Sequence, residues 1–130
     1  MYRIFNYILV MFACVLLSVN ATAQIKADMA GALESGKADE IANYFTPQVD
    51  LTLLDQDDLF SKQEATALLK QFFMVHKPTG FNEIHSGENG SGLSYIIGKL
   101  TTNTGTYRVS YYYEGSSGNE RIQQLIIDSE

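Results

Sequence analysis

The chain opens on its most apolar stretch. "ILVMFACVLLSV" (8–19) is apolar at every position but Ser18, with Arg3 ahead of it and "ATA" (21–23) behind it. A charged start, a short apolar run and small residues at positions −3 and −1 before Gln24 describe a secretory signal peptide cleaved after Ala23. The run is too short for a membrane span, which needs about 20 apolar residues to cross a hydrocarbon core of about 30 Å. The alternative is lipid attachment at Cys14 after "MFA". It would put bulky Phe12 two residues before the cysteine and leave the Ala21–Ala23 site unused. The expected product is one domain over 24–130, secreted or periplasmic.

Past Gln24 the periodicity turns helical. In "IKADMAGALESG" (25–36), Ile25, Met29, Ala32 and Leu33 share a stripe that ends at Gly36, a natural helix stop. "KADEIANYF" (37–45) carries Ala38, Ile41, Ala42 and Phe45 on one stripe, closed by Pro47. "VDLTLL" (49–54) alternates as a strand, "DQDD" (55–58) reads as a turn, and Leu59–Phe60 begins a short return strand. "SKQE" (61–64) is a capping box. The residues after it put Ala65, Leu68, Leu69, Phe72, Phe73 and His76 on one face, ended by Pro78 and Gly80. Four β-prone segments follow, at 81–86, 93–102, 106–114 and 121–128. They are separated by "GENGSG", "NTG" and "SSGN", which are short enough for antiparallel hairpins.

The order is α-α-β-β-α-β-β-β-β, an α+β layout in which a bent antiparallel sheet wraps on helices. Gly98, inside "YIIGKL", marks a bend. Strict alternation fails in "RIQQLII", where Ile122 and Leu125 stand three apart. A bulge near Gln123–Gln124 would return both to one face.

Charge and cysteine content narrow the chemistry. Without Arg3 the domain keeps eight basic against fifteen acidic residues, net −7, which repels phosphate backbones and argues against nucleic acid. Cys14 is the only cysteine and leaves with the leader, so the domain has no disulfide and no thiol nucleophile.

"ALESGKADEIANYF", "FSKQEATALLKQFF" and "YIIGKLTTNTGTYRVSYYY" with "IQQLII" resemble a family of small secreted bacterial domains of unknown function in the nuclear-transport-factor-two-like superfamily. The resemblance covers residues 25–128. It implies a cone of helices and bent sheet around a cavity, which small members can fill with their own side chains.

The tyrosine-rich strand decides how such a cone is lined. Alternation sends Tyr107, Val109, Tyr111 and Tyr113 to one face and Arg108, Ser110, Tyr112 and Glu114 to the other. The first set is expected to face the helices. A base-stacking platform would need interleaved cations, and only Arg108 is present. Core and ligand pocket both remain open. For a pocket the candidate contacts are Tyr95, Tyr107, Tyr111 and Tyr113.

Enzymes of the resembled superfamily, such as ketosteroid isomerase and scytalone dehydratase, place acid–base groups with tyrosines inside the cone. The nearest candidates here are His85 and Asp50. Asp50 faces solvent if Val49, Leu51 and Leu53 face inward. His85 shares a face with Phe81 and Glu83, while Ile84 takes the other. No enzyme signature is matched residue for residue.

Metal and cofactor motifs fail on spacing. A calcium loop starting at Asp55 would need glycine and glutamate where Phe60 and Thr66 stand. His76 and His85 lie nine apart without cysteine. "GSGLSY" lacks the third glycine of a dinucleotide loop. No metal or cofactor is expected. The expected function is a non-catalytic module binding a small apolar ligand or a protein partner. The rivals are an acid–base isomerase or dehydratase, and a structural module that forms a homodimer through the sheet face.

Overall fold

The computed structural model describes residues 22–116 and 118–130. Most of the expected leader, with the alternative lipid site at Cys14, lies outside those residues. The described chain runs α1 (Thr22–Ser35), α2 (Ala38–Ala42), β1 (Phe45–Leu53), β2 (Gln56–Ser61), α3 (Lys62–Val75), β3 (Pro78–Glu88), β4 (Ser94–Thr102), β5 (Gly105–Glu114) and β6 (Arg121–Ser129). This is the expected α+β order.

Local chemistry sets the helix ends. After α1, the Lys37 amide donates to Ala32 O (2.9 Å) and the Gly36 amide to Leu33 O (3.3 Å), the two bonds of a Schellman stop. Gly36 carries the left-handed φ of 66° which that stop requires. At α3, Ser61 Oγ accepts from the Glu64 amide at 3.2 Å, and this bond starts the helix. Ala65, Leu69, Phe72 and Phe73 are buried, Leu68 packs against the core, and His76 ends the helix half-buried.

The six strands lie in the order β2-β1-β6-β5-β4-β3. Every neighbouring pair is antiparallel except β1 with β6, which is parallel. Hairpin lengths set the direction of strands adjacent in sequence. β1 meets β6 through no hairpin, so its direction comes from how the sheet closes around the helices.

Two expected boundaries shift. β1 starts at Phe45, so Pro47 lies in a strand instead of closing a helix. Its missing N–H is tolerated because β1 pairs with β2 only from Gln48, and its pairing with β6 is interrupted between Phe45 and Asp50. The expected four-residue turn at 55–58 contracts to Leu54 and Asp55, and Gln56–Asp58 joins β2. Thr52 Oγ1 donates to Asp57 Oδ1 (2.9 Å) across that hairpin.

Two of the sheet's register shifts decide which side chains face the core. Tyr112 pairs with Gln124 and Tyr113 with Ile122, so Gln123 is the extra residue, and Ile122 and Leu125 both reach the core. On β3, Glu83 pairs with Gly98 and His85 with Ile97. Ile84 is therefore extra, and it stands 64% exposed.

Candidate functional site at the mouth of the cone

On β5, Tyr107, Val109, Tyr111 and Tyr113 are buried toward the helices, while Arg108 and Glu114 are exposed and Tyr112 is half-buried on the outer face. Tyr111 is 1% exposed amid Met29, Ile96 and Leu125, which are equally enclosed. Burial pushes its phenol well above the ordinary value, with Tyr113, Glu83 and Tyr44 adding to the shift. This middle part of the inner face is filled by the chain's own side chains.

Tyr107 closes one end. Its hydroxyl lies 3.0 Å from His76 Nδ1 and 3.0 Å from Thr104 Oγ1, and those two atoms are 2.5 Å apart. The His76 ring stands 4.5 Å from that of Phe72. Lys77 N donates to Asn103 Oδ1 (2.8 Å) and Asn103 N to Lys77 O (3.0 Å), which ties the end of α3 to the β4–β5 turn. The network is satisfied internally and braces the fold.

Tyr113, near the other end of β5, borders a cavity of about 290 Å³ lined by Lys26, Ser86, Gly87, Glu88, Ser94, Tyr95 and Tyr113. Lys26 reaches over from α1. Its ammonium donates to Ser86 Oγ (3.3 Å) and pairs with Glu83 Oε1 (3.5 Å), with both partners of that pair partly exposed. Burial raises the Tyr113 phenol above its ordinary value, and the Ser94 side chain offsets part of that shift. Nearby, the Tyr44 hydroxyl donates to the Asp28 carboxylate. Burial together with that carboxylate pushes the Tyr44 phenol up to about 12. Glu120 is 3% exposed: its Oε2 accepts from the Gly118 amide (3.1 Å), and Oε1 meets no partner among the described residues.

The four candidate tyrosines therefore do not form one wall. Tyr111 belongs to the core and Tyr107 to the His76 network. Tyr113 lines the cavity. Tyr95 also lines it, but its ring lies over Gly87 on the outer face, 6.2 Å from the ring of Tyr112.

His85 and Asp50 lie outside the cone. The extra residue at Ile84 turns His85 away from the face of Phe81 and Glu83, because one inserted residue flips every side chain after it. His85 Nε2 instead lies 3.0 Å from the Tyr95 hydroxyl. Asp50 is flanked by Leu59 and Gln124, and Gln124 Nε2 donates to its Oδ2 at 3.4 Å. Partial burial, then the charge of Asp57, raises the Asp50 carboxyl above its ordinary value. β6, β5 and β4 separate β1 from β3, which puts Asp50 and His85 about 19 Å apart at the usual strand spacing of about 4.8 Å. They make no catalytic pair.

Sequence reasoning missed Lys26, Ser86 and Ser94. Lys26 interrupts an otherwise ordinary helical pattern, and only the packing of α1 on β3 brings it to the two serines. Among the described residues, no group of three or more His, Cys, Asp or Glu side chains is placed to hold a metal ion, and no helix is long and apolar enough to cross a membrane.

The model of a family described as a domain of unknown function (DUF4783) matches residues 26–128. The chain belongs to that family. A DUF4783 crystal structure from Bacteroides ovatus is 31% identical, with 80% of this chain and 94% of that one covered at a TM-score of 0.73. Another, from Bacteroides fragilis, is 29% identical, with 79% and 96% covered at the same TM-score of 0.73. A de novo designed protein with a curved β-sheet is 12% identical, with 82% and 97% covered at a TM-score of 0.66. The fold is nuclear-transport-factor-two-like, as in further designed and natural neighbours that share it at low identity. Among curated proteins, none matches this sequence.

Proposed function

We propose that this DUF4783 domain is an exported, non-catalytic binding module that takes a small polar ligand at the mouth of its cone. The observation that carries this reading is the cavity of about 290 Å³ beside Tyr113, which combines a cation, two serine hydroxyls, two tyrosines and a carboxylate. Lys26 donates, Ser86 and Ser94 donate or accept, and Glu88 accepts. The Tyr113 ring offers an apolar wall. Lys26 and the two serines already have partners within the protein. An apolar ligand would still strip water from the exposed Glu88 carboxylate and from the exposed part of Lys26 without replacing it, at a cost of about 1–3 kcal/mol for each group desolvated. A simple anion would face Glu88. The fit is a molecule of zero net charge with both donors and acceptors, about the size of a free amino acid or a monosaccharide. Catalysis finds no support, because His85 and Asp50 lie on the outer face.

The test is an amide-resolved NMR titration of the mature domain with free amino acids, monosaccharides and indole. Polar probes are expected to move the signals of Lys26, Ser86, Ser94 and Tyr113, and Lys26→Met is expected to weaken that binding. Binding of indole alone, or shifts that map elsewhere, would overturn the reading.

The outer sheet face favours a second reading, association with another copy of the chain. Tyr95, Ile97, Tyr112 and Ile126 are all half-buried there, on neighbouring strands. Beside them Arg108 pairs across strands with Asp128, and Lys99 lies 3.4 Å from Glu130. A face carrying both signs can meet itself without net repulsion.

A further inference from the structure

Two more cavities flank α2, on the far side of the helices from the sheet's outer face, and their charges are opposite. The first, about 590 Å³, runs between α2 and α3 and is lined by Asp39, Ala42, Asn43, Lys62, Gln63, Thr66, Ala67 and Lys70. Ala42 and Ala67 leave space there that larger side chains would fill. Its charged groups are two lysines against Asp39, a balance of +1 on a chain whose net charge is −6. The second, about 430 Å³, is lined by Asp28, Glu40, Asn43 and Tyr44, a balance of −2. Asn43 belongs to both.

The existing ion pairs are loose. Lys70 pairs with Asp39 at 3.1 Å and Lys37 with Glu40 at 3.6 Å, with every partner more than half exposed. Exposed pairs of this kind contribute little and exchange readily. The Asp28 carboxylate holds the Tyr44 hydroxyl and, at 2.8 Å, the Gln24 amide, and it remains exposed.

We propose that these adjoining cavities form one docking surface for an extended, mixed-charge peptide segment of a partner protein. Lys62 and Lys70 are eight residues apart on α3, about 12 Å along its axis. Side chains four residues apart in an extended strand point the same way and stand about 13 Å apart. Acidic side chains at positions i and i+4 therefore reach the two lysines, and a small apolar side chain at i+2 settles on Ala42 and Ala67. Asn43, exposed and common to both cavities, bonds the peptide backbone at the junction in this arrangement. Beyond it, a basic side chain enters the second cavity, where Asp28 and Glu40 supply charge and Tyr44 an aromatic face. The reversal of sign selects against uniformly anionic partners such as nucleic acid or an acidic lipid surface.

The test uses fluorescein-labelled peptides and the mature domain in an anisotropy titration at low salt. The probes are EAVAEGGKR, its reverse RKGGEAVAE, and the uniformly charged EAVAEGGEE and KAVAKGGKR. The better mixed peptide is expected to bind at least ten-fold tighter than either uniform one. Lys62→Glu with Lys70→Glu is expected to remove most of that preference, as is Glu40→Lys. These side chains are exposed, so the melting curves of the variants check that the fold is intact. Equal binding of EAVAEGGEE, indifference to charge reversal in folded variants, or failure of every peptide to bind would each overturn the proposal.

Discussion

Phe81 lays its ring over Gly98 on the neighbouring strand. A Cβ added to Gly98 would stand 2.3 Å from Phe81 Cζ and 2.8 Å from the backbone oxygen of Asn82. The glycine thus makes room for a ring that covers the bend, and the Ile84 bulge follows directly on β3. Gly98→Ala is expected to destabilise by about 1–3 kcal/mol, the usual cost of overpacking. Chemical denaturation of Gly98→Ala, Phe81→Ala and the double variant should show coupling, with Phe81→Ala relieving part of the alanine's cost. Additive losses would mean that the ring is not what the glycine accommodates.

Tyr111 and Tyr112 are adjacent and face opposite ways, so they separate core from surface. Tyr111→Ala is expected to cost about 3–5 kcal/mol at any protein concentration, because it empties a fully enclosed aromatic site. Tyr112→Ala is expected to cost well under that. If the sheet's outer face binds a second copy, the Tyr112 variant loses stability only through dissociation, so its deficit against the parent shows where the parent is associated and shrinks on dilution. Denaturation at two protein concentrations, with sedimentation alongside, reads both effects.

Asp50 makes stability depend on pH in a direction that can be checked. Its carboxyl is raised above the ordinary 3.8 by partial burial, then by Asp57. The folded chain therefore holds this proton more tightly than the unfolded chain, and stability is lost as pH rises through and beyond 3.8. Asp50→Asn is expected to be more stable than the parent at neutral pH, with the gap closing below pH 3.8. Denaturant midpoints measured from pH 3 to 7 test this. A gap that widens toward acid would reverse the assignment.

Export with cleavage after Ala23 predicts a mature chain that starts at Gln24. Intact mass spectrometry of the protein recovered from its native host reads this directly. A diacylglycerol adduct on Cys14 would identify a lipoprotein instead.

Much of the fold follows from local rules, which is why the sequence alone conveyed it. The α1 stripe with its Gly36 stop, the Ser61 cap and the alternation of Tyr107 to Tyr113 depend on periods of 3.6 and 2 and on side chains within a few residues. Even the Gln123 bulge was legible, because two apolar residues three apart cannot otherwise share a face of a strand. The Ile84 bulge was not. Its segment, "FNEIHSG", is polar enough on both faces that neither register breaks an apolar pattern, and the turn of His85 away from the cone follows from pairing with β4. The parallel meeting of β1 with β6 and the approach of Lys26 to Ser86 likewise join residues 60 or more positions apart. Such contacts are fixed by how the layers pack, and no local period records them. The sequence by itself determined the elements and the inward tyrosines. Tertiary structure alone decided which of those tyrosines became core and which stands at the mouth.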